Sequence, residues 1–217
     1  MINKRWTLIL CVLFLMLAVI GCQARSPQVV KVGLVAPFEG EQRDLGYDGI
    51  YAARLAVREF NQLQQQNGSD IRLSLVALDD GGDADTAAGN AQALAADPAS
   101  IAVVGMGNED TRLASAENFA STSIVFIHSG VFPFEATDPA QLPSDFKDRY
   151  ASVTPFDEVA GEQAASVYEA FELISFAIRQ AEAKQTAVSV ESVAEFLKSA
   201  KIKGITGKTI SLESTAE

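Results

Sequence analysis

The chain has 217 residues, 48% hydrophobic and 21% charged, and its 28 acidic against 17 basic side chains give a formal net charge of −11 at pH 7. A surface of that sign disfavours nucleic acid and anionic lipid headgroups as partners. The length suits one domain-sized unit with a core of its own.

Residues 1–21 read as an export signal: Lys4 and Arg5 form a positive start, and Leu8 to Ile20 is an apolar run too short to span a bilayer comfortably. The run ends in Val19-Ile20-Gly21-Cys22, which resembles a bacterial lipobox. There the Cys22 thiolate would take a diacylglyceryl group, and small Gly21 would let the peptidase cut just before it. Acyl chains at Cys22 would anchor the protein to the bacterial membrane from its extracytoplasmic side. Cleavage removes Lys4, Arg5 and no acid, so −11 becomes −13. Cys11 leaves with the signal and Cys22 is lipidated, so no disulfide is expected in the mature chain. Residues 22–30 are polar and hold Ser26-Pro27, a short tether before a single unit at 31–217.

Lys31 to Ala36 is an uninterrupted apolar run, expected as a strand buried on both faces of a parallel sheet. Pro37 and Gly40 punctuate its exit. A helix is expected from about Leu45 to Asn61, with Ile50, Ala53, Val57 and Phe60 on one apolar face and Arg54, Arg58 and Glu59 turned away. Ile71 to Leu78 is the second strand. The acidic Asp79–Asp85 loop after it lacks the Asp-x-Asp-x-Asp-Gly order of a calcium loop and reads as a polar connection, with Asp85 or Thr86 capping a helix over Thr86–Ala96. Ile101–Gly105 is the third strand, Thr111–Ala120 a helix, and Ser123–Ile127 the fourth strand. This alternation with short connections predicts an α/β fold, a doubly wound and mostly parallel sheet with helices on both faces. Ligands of such sheets sit beyond the carboxyl ends of the strands, so Pro37–Asp44, Met106–Asp110 and His128–Phe134 should share one edge. Val131 to Pro155 is irregular, with one or two helical turns at Ser144–Tyr150. A long helix is expected over Glu158–Ala183, with Ala164, Val167, Tyr168, Phe171, Ile174 and Ile178 as its apolar stripe. Glu191–Ser199 is a further helix, and Lys203–Leu212 a turn and a strand.

Pro37-Phe38-Glu39-Gly40, Leu45-Gly46 and the run Ala53 to Asn61 resemble the opening of the leucine/isoleucine/valine-binding family of type I periplasmic solute-binding proteins of ABC transporters. Glu39 stands where the family has Thr, and Ala52 where it has Gly. Phe146 to Tyr150, Tyr168-Glu169-Ala170 and Gly204 to Ile210 resemble the family's C-terminal region. The family's second lobe, on the order of a hundred residues, has no counterpart between them, so the resemblance implies a single lobe of a two-lobed clamp.

The family holds an amino-acid carboxylate with hydroxyls and backbone N–H groups on the loops after the third and fourth strands. Its first Ser falls at Glu109 here and its Thr at Val131, neither of which suits an anion. The resemblance places candidate ligand contacts at Phe38, at Asn108, Glu109 and Asp110, and at His128, Ser129 and Gly130. A lone His128 at a strand end reads as an ordinary hydrogen-bonded residue rather than a metal ligand or base. With no nucleophile elbow, phosphate loop or metal spacing, no catalytic residues, metal or cofactor are expected. The resemblance implies a lipid-anchored binder of a small polar solute, partnered by an ABC permease or another membrane protein. The alternative is an interaction or sensor module using the same lobe to dock a protein. One lobe encloses about half a ligand: a site worth roughly −8 kcal/mol would fall to about −4, near millimolar.

Overall fold

The computed structural model describes residues 26–212. The export signal, Cys22 and the first part of the tether lie outside the described residues. The elements are β1 (Gln28–Ala36), α1 (Arg43–Gln66), β2 (Ile71–Asp79), α2 (Ala84–Ala96), β3 (Ser100–Gly105), α3 (Glu109–Phe119) and β4 (Val125–Ile127). A 3-10 turn (Pro139–Gln141) follows, then α4 (Ser144–Ala151), α5 (Ala164–Ala183), α6 (Val190–Ser199), β5 (Ile202–Lys203) and β6 (Thr209–Ile210).

The first four strands are all parallel, in the order β2-β1-β3-β4. This is the doubly wound α/β sheet expected from the sequence. Side-chain alternation splits its core in two. Val30, Val32, Leu34 and Ala36 of β1 and Ala102 and Val104 of β3 face α1, α5 and α6. Val35 and Val103 point the other way, into a smaller core with Ala91 and Leu94 of α2 and Phe119 of α3. The order explains this asymmetry. The right-handed crossover from β1 to β2 runs one way along the sheet and those from β2 to β3 and β3 to β4 run the other, so α1 falls on one face and α2 and α3 on the other. That leaves the α1 side of β3 and β4 open, and α5 and α6 fill it. Accordingly α5 is buried almost all round, including Val167, Phe171, Leu173, Ile174 and Ile178.

Several elements differ from expectation, each for a local reason. Strand β1 starts at Gln28, because that residue pairs with Ile71 and its side chain donates to Val188 O; three residues assigned to the tether, Gln28 to Val30, are therefore in the sheet. Helix α2 is capped by Asp83, whose carboxylate accepts from Thr86 N–H, rather than by Asp85 or Thr86. Strand β4 starts only at Val125, because Thr122 Oγ accepts from Ile124 N–H and donates to Phe119 O, holding Thr122–Ile124 in a turn. The long helix starts at Ala164, not Glu158: Asp48 of α1 accepts from Gly161 N–H at 2.9 Å and Gln163 N–H at 3.3 Å, fixing these residues as a bend. Glu59 is not turned away. It accepts from Arg149 of α4 and Tyr168 of α5, while Arg58 reaches Ser152. The C-terminal turn and strand form a separate antiparallel hairpin of β5 and β6, closed by Gly204 N–H to Lys208 O.

Candidate functional site

The carboxyl ends of β1 and β3, at the point where the strand order reverses, feed loops that leave in opposite directions. Gly46 lets the first turn of α1 lie against the exit from β1; a Cβ there would stand 2.1 Å from Pro37 O. This close approach brings Leu45 toward Met106 and Gly107 after β3 and Ser129 and Phe134 after β4. Together with Gly105 and Gln163 they line a cavity of about 180 Å³. The three expected loops therefore do share one edge.

The candidate residues divide sharply around it. Ser129 lines the cavity and is exposed. Phe38 is half-buried, edge-on to Tyr47 with ring centroids 6.4 Å apart, and its N–H donates to Asp79 Oδ1 at 2.7 Å. Asn108 is occupied structurally: Oδ1 caps α3 at Thr111 N–H and Nδ2 donates to Gly82 O, tying together the loops after β2 and β3. Glu109 and Asp110 are exposed on the first turn of α3, with Glu109 3.7 Å from Arg112. His128 Nδ1 accepts from Gly130 N–H at 3.0 Å and its ring lies against Phe126. Burial, with Arg112 nearby, holds the imidazole below its ordinary pKa, so it is neutral near pH 7. Gly130 is exposed and packs against that ring.

What this edge offers a ligand is limited. The amides of Val131 and Phe132 both donate to His128 O, so the loop after β4 turns its donors inward. The amides of Glu109 and Asp110 start a helix and have no intrahelical acceptor, yet their own carboxylates stand beside them. Among the described residues, no three His, Cys, Asp or Glu side chains converge as metal ligands. The acidic loop after β2 serves the backbone instead. Asp79 holds Phe38 and Gly81 N–H, and Asp80, only 2% exposed, holds Gly82 N–H. Burial raises the Asp80 carboxyl above its ordinary value.

Reading the sequence placed the loops of Met106 and Phe134 on this edge but missed Leu45 and Gln163 as cavity walls. It also missed a larger open cleft of about 800 Å³ on the outer flank of α1, where Tyr47, Asp48 and Tyr51 face Tyr150 and the Phe156–Val159 loop. The repeat Asp44-x-x-Tyr47-Asp48-x-x-Tyr51 was the available signal, since these positions share one helix face.

The sequence matches the family described as periplasmic binding protein over residues 29–143, more than half of its 217 residues. The chain belongs to that family, and its fold is one lobe of a type I periplasmic binding protein. No curated protein matches the sequence. Among solved structures it is similar to the branched-chain amino acid transporter substrate-binding protein LivJ of Streptococcus pneumoniae, in complex with isoleucine; identity is 12%, TM-score 0.64, and 83% of this chain and 91% of that one are covered. A solute-binding protein of an ABC transporter from Rhodopseudomonas palustris, in complex with 3,4-dihydroxybenzoic acid, gives 12%, 0.62, 86% and 89% in the same order. An ABC transporter substrate-binding protein of Desulfitobacterium hafniense, in complex with Leu, gives 14%, 0.57, 82% and 91%. Family membership implies an extracytoplasmic location and a binding role.

Proposed function

We propose that the chain is a lipid-anchored, extracytoplasmic solute-binding-type protein resembling the amino-acid-binding component of an ABC importer, with a shortened ligand-binding region. Residues 1–21 are its signal peptide, Cys22 its anchor, and the residues up to Gln28 its tether. Its partners are a small polar solute and an ABC permease, and its role is binding rather than catalysis. The observation that carries this reading is the meeting of Leu45, Met106, Gly107, Ser129 and Phe134 around a cavity at the strand edge. That is where a ligand of a doubly wound sheet belongs. Ser129 and Gln163 are its polar side chains; Glu109 and Asp110, on the loop that follows Gly107, bias the edge against free carboxylates. Phe38, Asn108, His128 and Gly130 shape the edge without facing the solute.

One observation favours a second reading, a module that docks a protein. Phe156 and Val159 are 82% and 86% exposed in one loop beside the large cleft. A thermal-shift screen of Gln23–Glu217 against amino acids, amides and sugars separates the two. A solute that raises the melting midpoint supports the binder, whereas concentration-dependent self-association with no responding solute supports the docking module. Anchoring has its own test: Cys22→Ser should leave an uncleaved, unlipidated precursor. A wild-type mature N-terminus that carries no acyl chain, or begins beyond residue 22, would contradict it.

A further inference from the structure

We propose that the free edge of β2 is a self-association surface, where a second copy of this chain adds its own β2 antiparallel. The pairing rests neither on the solute reading of the cavity nor on the Phe156 loop.

Strand β2 is the outermost strand of the sheet and pairs only with β1. Its even-numbered residues make that ladder: Gln28 N–H donates to Asp70 O at one end, and Asp80 N–H to Ala36 O at the other. The odd-numbered residues therefore point their N–H and C=O groups away from the sheet. Side chains close this edge at both ends. Asn61 of α1 takes both groups of Leu73, Oδ1 accepting from the N–H and Nδ2 donating to the C=O, each at 2.8 Å. Ser69 Oγ accepts from Ile71 N–H, and Arg72 donates to Ile71 O. Asn90 of α2 donates to Asp79 O. Between these clips, Leu75 and Ala77 have no partner for N–H or C=O among the described residues.

Nothing blunts that window. Leu73 to Leu78 carries no charge and no Pro, and β2 follows β1 without a bulge from Ile71 to Asp79. Leu75, Val76, Ala77 and Leu78 are all partly exposed. Charge, Pro and bulges are the usual devices that keep an edge strand from pairing.

Two observations make the occupant a second copy. The first is register. With Val76 opposite Val76 in an antiparallel pair, Leu75 of each strand falls opposite Ala77 of the other. Such opposed residues exchange both N–H···O=C bonds, so every open group of Leu75 and Ala77 is satisfied. The clips at Leu73 and Asp79 confine the pairing to this window. The second is charge. Arg72 is the one basic residue between Arg58 and Arg112, and it uses only Nη1 on Ser69 O and Ile71 O. The same register sets it beside the Asp79–Asp83 turn of the other copy. Both copies make that contact, as a two-fold interface requires.

The window is short, so the pairing is weak and is tested by trapping it. Val76 lies on the two-fold axis as a non-hydrogen-bonded pair with Cα atoms about 4.5 Å apart, within the range of a disulfide. The full chain carrying Val76→Cys, in neutral detergent, is oxidised with copper phenanthroline and run on a non-reducing gel. Wild type beside it sets the background from Cys11 and Cys22. A disulfide-linked dimer several-fold above that background is expected. Leu78→Cys should stay at background, because Leu78 falls opposite Ser74 and the paired copies of Leu78 stand about 13 Å apart along the strands. Adding Ala77→Pro to Val76→Cys should abolish the dimer. The Ala77 N–H points away from β1, so an edge Pro leaves the sheet paired, which a cooperative melt checks. If that melt is not cooperative, Ala77→Lys takes its place, setting like charges on the two edges. Adding Phe156→Ala should change nothing, whereas a docking module built on that loop would lose its self-association. No dimer above background from Val76→Cys, an equal dimer from Leu78→Cys, or a dimer that survives the Ala77 substitution would each overturn the proposal.

Discussion

The Arg149 guanidinium Nη1 lies 2.6 Å from Glu59 Oε1 and 2.8 Å from Oε2, and the Tyr168 hydroxyl donates to the same Oε2 at 2.6 Å. One carboxylate of α1 thus joins α4 and α5, elements about ninety and more residues away in sequence. The Arg149 guanidinium also lies over the Phe146 and Tyr168 rings, at 5.8 and 5.6 Å. This cluster is one of the ties of the irregular crossover from β4 to α5 to α1, beside the Asp48 bonds to Gly161 and Gln163 and the burial of Phe132, Leu142 and Phe146.

Glu59→Gln removes the charge and leaves Arg149 facing a neutral amide. Hydrogen bonds to charged groups are worth about 1.5–3 kcal/mol, and the pair is partly solvated, so a loss of about 2 kcal/mol is expected. Urea unfolding should show a lower midpoint with an unchanged slope. A midpoint within error of the wild type would mean the cluster is ornamental.

The packing of α5 and α6 on the sheet gives a second expectation. A chain ending at Ala151 would uncover Ala102, Val104 and Ile127, all fully buried in the intact protein. It should bind a hydrophobic dye and melt without a sharp transition. A cooperative melt of that fragment would show the C-terminal helices to be a separate unit.

Acid should stabilise the fold before it harms it. The carboxyls of Asp48, Asp80, Glu169 and Glu172 are all raised above their ordinary values of 3.8 and 4.5, chiefly by burial. A raised carboxyl binds its proton more tightly in the folded chain. Its stabilisation is complete below the ordinary value and lost as pH rises through the folded one. Asp83, Asp97 and Glu191 are lowered by hydrogen bonds, so their contribution is lost only as pH falls below the ordinary range. His128, lowered by burial, opposes the trend below 6.5. As pH falls from neutral toward the ordinary carboxyl values of 3.8 and 4.5, the four raised carboxyls and relief of the net negative charge act together. The melting midpoint should be higher near pH 4.5 than at pH 7, and Asp80→Asn should reduce the gain. A midpoint that falls steadily from pH 7 to pH 4.5 would contradict this.

What could be read from the chain was set by how local each signal is. The run Val32 to Ala36 has no polar interruption and is buried throughout; burial on both faces of a parallel strand writes itself into consecutive residues. The exit from β1 at Pro37 and Gly40 was also legible, since turn residues act within a few positions. Glu59 was misplaced because its partners Arg149 and Tyr168 lie far along the chain, so helical periodicity alone sends it to solvent. The start of α5 was misplaced for the same reason: the carboxylate that bends Gly161 to Gln163 belongs to Asp48. Asn108 looked like a ligand group because a cap and a binding residue are the same chemical type, and only the Thr111 and Gly82 contacts separate them.

The central claim is that this lobe presents half of a solute site. Its strand edge holds a cavity of about 180 Å³, small for a ligand pocket, and the resemblance puts Glu109 and Val131 at the positions of the family's Ser and Thr. Calorimetric titration of the protein with free Leu, Ile and Val tests this most directly. The account predicts binding no tighter than about millimolar for all three amino acids, whereas low-micromolar binding of any of them to a monomer would mean that the pocket is complete and would contradict it.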